Sequence, residues 1–247
     1  MNKHSQSAGI TESWTPASVI NLLMRDWFND GEKEYLRFHA QRISETLYKL
    51  DHFLQEGTRL LDVGPHMLTS AIYHIFSQRG VKISTLGWAD HRLAPPEITG
   101  EHVEWDLNKE LSGNEFRSAP FDVIVMAETI EHLYSPPQIV LRGLLRFLSS
   151  HGGRMIIQTP NAAALSKRYD LLFGRNPYEM LRENASNPGH FREYTAEELR
   201  QIGEALGLVT ERIDFMNYWR SRGWRGHLED FFPALRNGIT VVFRYQK

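Results

Sequence analysis

The sequence contains no cysteine. Whatever the fold, this absence excludes disulfide scaffolds, cysteine-ligated zinc sites and thiol nucleophiles. It is typical of a protein that works in a reducing compartment, and we therefore expect a cytoplasmic location.

Long hydrophobic runs are also absent. The longest clean apolar run is no longer than about the length of residues 121–127, whereas a membrane-spanning helix needs ~20 such residues. The first residues, MNKHSQSAGITES, contain no apolar segment of the kind that a secretory signal needs. The sequence therefore predicts neither a transmembrane helix nor a membrane partner.

Neither sign of charge predominates. The 28 Lys and Arg residues are balanced by 30 Asp and Glu residues, which gives a formal net charge of -2. Since proteins that hold nucleic acid by neutralising phosphates are strongly basic, we expect no nucleic-acid partner. The hydrophobic fraction of 41% and the charged fraction of 23% are those of a folded globular protein. Nothing in the sequence indicates an oligomeric state.

Helical and strand-like patterns alternate along most of the chain. Apolar residues recur at helical spacing over residues 16–53, with a turn at 29–31. Short apolar runs then predict buried strands at 59–63, 81–88, 102–105, 121–127 and 154–158, and a closing strand pair at 208–215 and 239–245. This alternation predicts an α/β fold, a parallel sheet with helices on both faces.

Acidic residues lie at the ends of four of the first five predicted strands. They are Asp62, Asp90, Asp106 and Glu128. Ligands of open parallel sheets bind beyond the carboxyl ends of the strands. Acidic residues in such turns also cap helices, but four of them at one edge predict a negatively charged binding site.

The turn after the first predicted strand lacks the usual phosphate-binding motifs. The sequence contains no G-x-x-x-x-G-K-[ST], and of the dinucleotide pattern G-x-G-x-x-G only Gly64 is present, followed by Pro65 and His66. Pro65 has no N–H to offer an anion, and an acidic edge repels phosphates. Asp90 follows Gly64 at close to the ~20-residue spacing of a ribose-binding carboxylate. The edge therefore favours a positively charged nucleoside without phosphates, and an NAD-dependent dehydrogenase is disfavoured.

Five short segments resemble motifs of the class I S-adenosylmethionine (SAM)-dependent methyltransferases. They are residues 60–64 (LLDVG), 106–107 (DL), 128–133 (ETIEHL), 158–161 (QTPN) and 190–195 (HFREYT). The last, with 197–199 (EEL) and Gly207, resembles the branch that contains the ubiquinone-pathway O-methyltransferases. The resemblance covers about residues 58–215. It implies a Rossmann-like three-layer sandwich with a mostly parallel seven-stranded sheet, an antiparallel closing strand pair and additional N-terminal helices.

The resemblance also implies a division of the chain and a set of cofactor contacts. Residues 1–56 form an N-terminal helical segment or lid, and 57–247 the methyltransferase domain, with insertions at about 162–190 and 216–236. At the first turn, the resemblance implies that Gly64 lets the backbone approach the cofactor and that Asp62 supports the ammonium group of the cofactor through the loop. It implies that Asp90 binds the ribose hydroxyls and that Asp106 and Leu107 border the adenine. Glu128 is expected to line the pocket near the transferred methyl.

His132 and His190 are the candidate catalytic residues. Methyl transfer to a hydroxyl needs alignment and a base, for which histidine is the usual side chain; a structural, hydrogen-bonded histidine is the alternative at each position. Small-RNA 2′-O-methyltransferases suggest a second alternative, in which Glu128, Glu131, His132 and His190 hold Mg²⁺, Mn²⁺ or Zn²⁺. Since E-x-x-E-H also occurs in members without a metal requirement, we do not favour a metal cofactor beside SAM.

The sequence thus predicts a SAM-dependent methyltransferase that modifies a hydroxyl of a small molecule or saccharide. Two alternatives stay open: a catalytically silent nucleoside-binding or scaffolding module, because residues 64–67 (GPHM) depart from the family's G-x-G-x, and a metal-dependent RNA 2′-O-methyltransferase. We expect acceptor specificity to lie in the N-terminal helices, in 162–189 and in 218–235. The last region has a basic-aromatic cluster that could bind a nucleotide-sugar or form a surface helix with buried Trp residues; its members are Trp219, Arg220, Arg222, Trp224 and Arg225.

Overall fold

The computed structural model describes residues 15–24, 28–88, 101–110, 120–184, 187–219, 221 and 223–246. Three residues singled out in the sequence, Asp90, Arg220 and Arg222, lie outside the described residues. Among the described residues, none of the helices combines the length and the hydropathy that crossing a bilayer requires.

A seven-stranded sheet forms the centre of the described structure. Its strands are β1 Arg59–Val63, β2 Lys82–Gly87, β3 His102–Glu104, β4 Val123–Ala127, β5 His151–Pro160, β6 Leu208–Met216 and β7 Gly238–Gln246. Their order across the sheet is β3-β2-β1-β4-β5-β7-β6. Strands β1 to β5 are parallel, whereas β7 runs antiparallel to both β5 and β6. The predicted mostly parallel sheet with an antiparallel closing pair is confirmed.

Helices cover both faces of this sheet. The described residues contain α1 Pro16–Leu23, α2 Asp30–Phe38, α3 Ala40–Asp51, α4 Met67–Phe76, α5 Pro137–Leu145, α6 Leu165–Leu172, α7 Ala196–Ala205 and α8 Trp224–Phe231. Helices α1 to α4 share a core with Leu60 and Ile156 of the sheet, and α5 and α7 share a second core with Leu61 and Ile157. Adjacent strand residues point to opposite faces, so both faces are apolar and both are covered. The predicted three-layer sandwich is confirmed.

The N-terminal helices are part of the sheet's own core. Asn29, at the predicted turn, caps α2 by accepting a hydrogen bond from the Glu32 amide at 2.9 Å. His39 separates α2 from α3. Side chains of α3 such as Ile43 and Leu47 are buried against the sheet. The helices therefore stand in direct contact with the strands that form the ligand-binding edge.

Residues 162–190, predicted as an insertion of poor periodicity, contain the short helix α6. Its periodicity is hard to detect in the sequence because none of its residues is buried. Leu172, for example, is 78% exposed. The helix is nevertheless tied to the fold, since Lys167 forms an ion pair with Glu193. Burial lowers the pKa of Lys167 to about 8, although the negative charges of Glu131 and Glu128 oppose this shift.

Candidate active site

A cavity of about 260 Å³ lies at the carboxyl ends of β1, β2 and β4. Parallel pairing places Val63 opposite both Leu86 and Met126, so that the three strands end side by side. The cavity wall combines the turns that follow these strands with the segment after β3. This is the edge at which the sequence predicted a binding site.

The predicted cofactor-binding residues differ in their relation to this cavity. Gly64, Asp106, Leu107 and Glu128 line it. Asp62 does not: the residue is 3% exposed, and its carboxylate accepts a hydrogen bond from the Thr69 hydroxyl at 2.6 Å. Burial raises the pKa of Asp62 to about 6, although the Thr69 hydrogen bond opposes this shift. Any influence of Asp62 on a ligand acts through the loop between β1 and α4.

Two turns of the cavity wall require glycine. Gly64 has a φ of +76°, and a Cβ at this position would lie 2.4 Å from the Oγ1 atom of Thr129. A Cβ at Gly87 would lie 2.8 Å from the Cδ atom of Pro65. We expected Gly64 to let the backbone approach a ligand; its contact with Thr129 is a further constraint. Gly87 and its contact were missed by the sequence analysis, although a glycine at the end of an apolar strand could have indicated them.

His66, which replaces the family's second glycine, does not line the cavity. Its Nδ1 accepts a hydrogen bond from the Leu68 amide at 2.9 Å and caps α4. Its Nε2 therefore carries the proton and lies 3.2 Å from the carbonyl oxygen of Ala127. Burial, followed by the positive charge of Arg42, lowers the pKa of His66 to about 4. The imidazole is a neutral structural element at this pocket edge.

Asp106 gives the cavity a negative charge. Its Oδ1 accepts a hydrogen bond from the Asn108 amide at 3.0 Å, and its Oδ2 lies 3.3 Å from the ammonium group of Lys109. Partial burial raises the pKa of Asp106, but hydrogen bonds from Asn108, Lys109 and Trp88 outweigh it and lower the pKa. Next to it, Leu107 supplies an apolar wall and is 6% exposed.

Glu128 has an unusual backbone and a fully engaged carboxylate. Its φ is +52°, the single positive value among the non-glycine residues that the structure describes. Nη1 of Arg42 lies 2.7 Å from its Oε2, and the Tyr218 hydroxyl donates to its Oε1 at 2.5 Å. Strained backbone of this kind concentrates at functional sites. The sequence did not predict that Arg42 or Tyr218 contacts Glu128. An arginine on the apolar face of a helix is a signal that could have indicated Arg42.

The two predicted catalytic histidines face each other next to Glu131. The ring centroids of His132 and His190 are 4.8 Å apart. Nδ1 of His132 lies 2.9 Å from the carbonyl oxygen of Gly189, and Nδ1 of His190 lies 3.2 Å from Oε1 of Glu193. Because both partners are acceptors, we assign the proton to Nδ1 in each ring, which leaves the Nε2 lone pairs available. Burial, then His132, lowers the pKa of His190 to about 4.

Glu131 lies beneath the histidine pair and is completely buried. Its Oε2 accepts a hydrogen bond from the Thr159 hydroxyl at 2.9 Å, and its Oε1 has no hydrogen-bond partner in the described structure. Burial, reinforced by the charge of Glu128, raises the pKa of Glu131 well above its ordinary value. Its backbone carbonyl also accepts from the Phe191 amide at 2.8 Å, which ties the His190 segment to the loop after β4.

Three of the four predicted metal ligands form a compact group. Ligand atoms of Glu131, His132 and His190 all lie within 4.8 Å of one another. Two imidazoles and a carboxylate suit divalent transition metals, and the acceptors on both Nδ1 atoms resemble the supporting shell of metal-bound histidines. Glu128 is outside this group, because Arg42 and Tyr218 engage both of its oxygens.

A comparison with known protein families identifies the fold's relatives. The model of a family described as "Methyltransferase domain" matches residues 34–213, which is most of the chain. The chain belongs to this methyltransferase family. The match includes α3 as well as the sheet edge, so the helix that carries Arg42 falls within it. No curated protein shows significant sequence similarity to this methyltransferase.

Solved structures support the fold of the methyltransferase. A SAM-dependent methyltransferase from Archaeoglobus fulgidus aligns with a TM-score of 0.54 and 14% identity, over 81% of this chain and 91% of that one. The 1,6-didemethyltoxoflavin-N1-methyltransferase of Burkholderia thailandensis, solved with 1,6-didemethyltoxoflavin and S-adenosylhomocysteine (SAH), aligns with a TM-score of 0.51 and 17% identity, over 96% and 92%. At these identities the likeness concerns the fold alone.

The described lining of the cavity suits SAM, the cofactor expected from the sequence. Asp106 supplies a carboxylate for a positively charged molecule, and Trp105 and Leu107 supply apolar surface for an adenine ring. The turn at Gly64 offers no phosphate-binding loop. The donor groups therefore suit a phosphate-free, cationic nucleoside.

The predicted basic-aromatic cluster of the methyltransferase is divided in the structure. Trp219 lies beside Phe38 of α2, with 5.5 Å between the ring centroids, and is 47% exposed. Arg225 instead lies over the ring of Tyr169 in α6, 4.3 Å from its centroid, and Trp224 is 57% exposed. The expectation of a surface helix with buried Trp residues is therefore wrong for Trp219 and Trp224, since both side chains are exposed.

Proposed function

We propose that this methyltransferase transfers the methyl group of SAM to a hydroxyl of a small molecule or saccharide. The observation that carries the proposal is the facing pair of His132 and His190 beside the cavity, each with its Nδ1 held by an acceptor and its Nε2 available. The resemblance of residues 128–133 and 190–195 to ubiquinone-pathway O-methyltransferases supports a hydroxyl acceptor. The acceptor space would lie between the N-terminal helices and the 162–190 segment.

Methyl transfer to a hydroxyl requires the protein mainly to align the donor with the acceptor and to accept one proton. SAM carries the methyl group on a positively charged sulfonium, which becomes a neutral thioether when the methyl group is transferred. Glu193 and Gly189 hold the two imidazole rings in the orientation that presents Nε2. One of these nitrogens takes up the proton that the acceptor hydroxyl loses as its oxygen gains the methyl group. Glu128 lines the same cavity as His132 and Asp106.

The proposal is tested by measuring SAH formation with paired acceptors. Phenols and saccharides are compared with amines of the same skeleton, and we expect turnover with a hydroxyl acceptor. His190→Gln should then lower kcat by about 10²-fold while the Kd for SAM stays within about threefold, because His190 does not line the cavity. The matched control is His151→Gln, an exposed histidine at the start of β5 and thus at the opposite edge of the sheet. Turnover with amines alone would contradict the proposal, and tight SAM binding without any turnover would favour the silent module.

The group of Glu131, His132 and His190 supports a second version, in which a bound divalent metal acidifies the acceptor hydroxyl. These residues would hold the ion. Exhaustive chelation followed by return of Mg²⁺, Mn²⁺ or Zn²⁺ separates the two versions. Loss and recovery of activity would establish the metal-dependent version, whereas unchanged activity would leave the histidine-base version.

A further inference from the structure

Among the described carboxylates that line the cavity, Glu128 is the one whose charge is cancelled by a buried cation. Arg42 and Glu128 form an ion pair in which the side chains are 8% and 13% exposed. The second described carboxylate of the cavity, Asp106, pairs with Lys109, whose side chain is 75% exposed. Because solvent screens an exposed pair far more than a buried one, the two carboxylates present different charges to the cavity.

Hydrogen bonds and an aromatic contact hold Arg42 in place. Its Nη2 donates to the Tyr35 hydroxyl at 3.1 Å, its carbonyl accepts from the Thr46 hydroxyl at 2.9 Å, and its guanidinium lies 5.6 Å from the ring centroid of Tyr218. Although burial lowers the pKa of Arg42, the charge of Glu128 together with contacts to Tyr35 and Tyr218 raises it overall. The side chain therefore remains a fixed cation opposite Glu128.

Tyr218 completes the arrangement from the other side. Burial, then the negative charge of Glu128, raises the pKa of Tyr218 well above its ordinary value, so that the phenol is neutral and donates its proton to Glu128. Arg42 comes from α3 and Tyr218 from the segment between β6 and α8. Two elements outside the parallel strands thus hold the carboxylate of a residue whose backbone φ is +52°.

We propose that Arg42 and Tyr218 are positioning residues that hold Glu128 in the cavity wall, and that Arg42 cancels its charge so that SAM is not strongly preferred over SAH. The inference rests on the proposed placement of the sulfonium beside Glu128. An uncompensated carboxylate attracts the sulfonium of SAM but has no such attraction for the neutral thioether of SAH. With Arg42 in place this difference is small, which allows the product to be exchanged for fresh cofactor.

The test measures the Kd values of SAM and SAH by calorimetry without any acceptor. Arg42→Met should raise the preference for SAM over SAH about tenfold, because Glu128 is then an uncompensated charge. Arg42→Lys should restore the wild-type preference, since it keeps the charge even if both affinities fall. In Arg42→Met/Glu128→Gln the preference should return to the wild-type value. If the role of Arg42 is purely structural, Arg42→Met will weaken the binding of SAM and of SAH alike and will leave the ratio of their Kd values unchanged.

The matched control is Arg154→Met. Arg154 also forms a close ion pair, with Glu211 at 2.8 Å, but at the opposite edge of the sheet. Arg154→Met should leave the affinities for SAM and for SAH unchanged. A wild-type SAM-to-SAH ratio in Arg42→Met would overturn the inference. If Glu128→Gln alters neither affinity, the placement of the sulfonium is wrong and the inference falls with it. Should Arg42→Met fail to fold, Glu128→Gln decides: it leaves Arg42 as an uncompensated cation and should lower the preference for SAM over SAH, and a wild-type ratio in this variant would overturn the inference.

Discussion

The two sides of the proposed active site, a cofactor side and an acceptor side, are built in different ways. The cofactor side consists of turns that directly follow β1, β2 and β4, so that its residues are placed by backbone pairing within the sheet. On the acceptor side, side chains reach across the molecule: Tyr218 contacts Glu128, a residue 90 positions away, and His132 contacts Gly189, 57 positions away. Backbone geometry specifies the first side and tertiary contacts specify the second. Substitutions should therefore separate cofactor binding from acceptor handling.

The largest expected effect is at Gly64, on the cofactor side. Gly64→Ala places a Cβ 2.4 Å from Thr129 Oγ1 at a φ of +76°, and Thr129 is itself buried. Overpacking added to left-handed strain should cost about 3 kcal/mol or more in the free energy of unfolding and weaken SAH binding. The control is Gly174→Ala, which has a φ of +69° but no atom within 4 Å of the added Cβ. It should cost only ~1 kcal/mol. Equal losses in chemical denaturation would show that packing at Gly64 is unimportant.

The next effect concerns His66, at the junction between the two sides. Its pKa is lowered to about 4 by burial, then by Arg42, with smaller contributions from His39 and His132. Below pH 6.5 the unfolded chain therefore takes up a proton that the folded protein does not, and stability falls as the pH drops towards 4. Between pH 7 and 4.5 this amounts to ~2.5 kcal/mol.

His66→Asn should reduce that loss, because asparagine can also cap a helix but does not titrate. The measurement is the free energy of unfolding in urea across this pH range. A variant with the same pH dependence as the wild type would contradict the assignment.

A smaller effect is expected from Trp219, on the acceptor side. Its partly exposed ring lies beside Phe38 and near Tyr218. Trp219→Ala should raise the KM of an accepted hydroxyl substrate about tenfold, equivalent to ~1.4 kcal/mol, and leave the Kd for SAM unchanged. Phe231→Ala, which removes an aromatic ring that is 83% exposed, serves as the control. A change in SAM affinity of the same size would remove the distinction between the two sides.

The smallest effect is expected at α7, which belongs to neither side. The Thr195 hydroxyl accepts a hydrogen bond from the Glu198 amide at 3.2 Å and caps the helix. Thr195→Ala should lower the free energy of unfolding by about 1 kcal/mol without changing the affinity for SAH. Thermal unfolding combined with calorimetry checks this. Weakened SAH binding would mean that the cofactor side depends on more than the turns after its strands.

The sequence allowed the cofactor side of the site to be predicted better than the acceptor side. Asp106, Leu107 and Glu128 could be placed at one edge because they come directly after apolar runs that are recognisable as parallel strands. The contacts of Arg42 and Tyr218 could not be predicted, since periodicity says that a helix packs on the sheet but not which of its side chains meets which strand end. The clash that Thr129 imposes on Gly64 is likewise a contact between two turns that are distant in sequence.

By itself, the sequence determined the α/β class, the parallel strands with their antiparallel closing pair, and the edge at which carboxylates gather. These properties follow from local patterns of apolar residues, turns and caps, which act over a few positions of the chain. Only the tertiary structure decided that Glu128 is paired with Arg42, that Asp62 is turned away from the cavity, and that His190 meets His132. The reason is that a side chain's charge and hydrogen-bonding state depend on the neighbours that folding brings to it from distant parts of the chain.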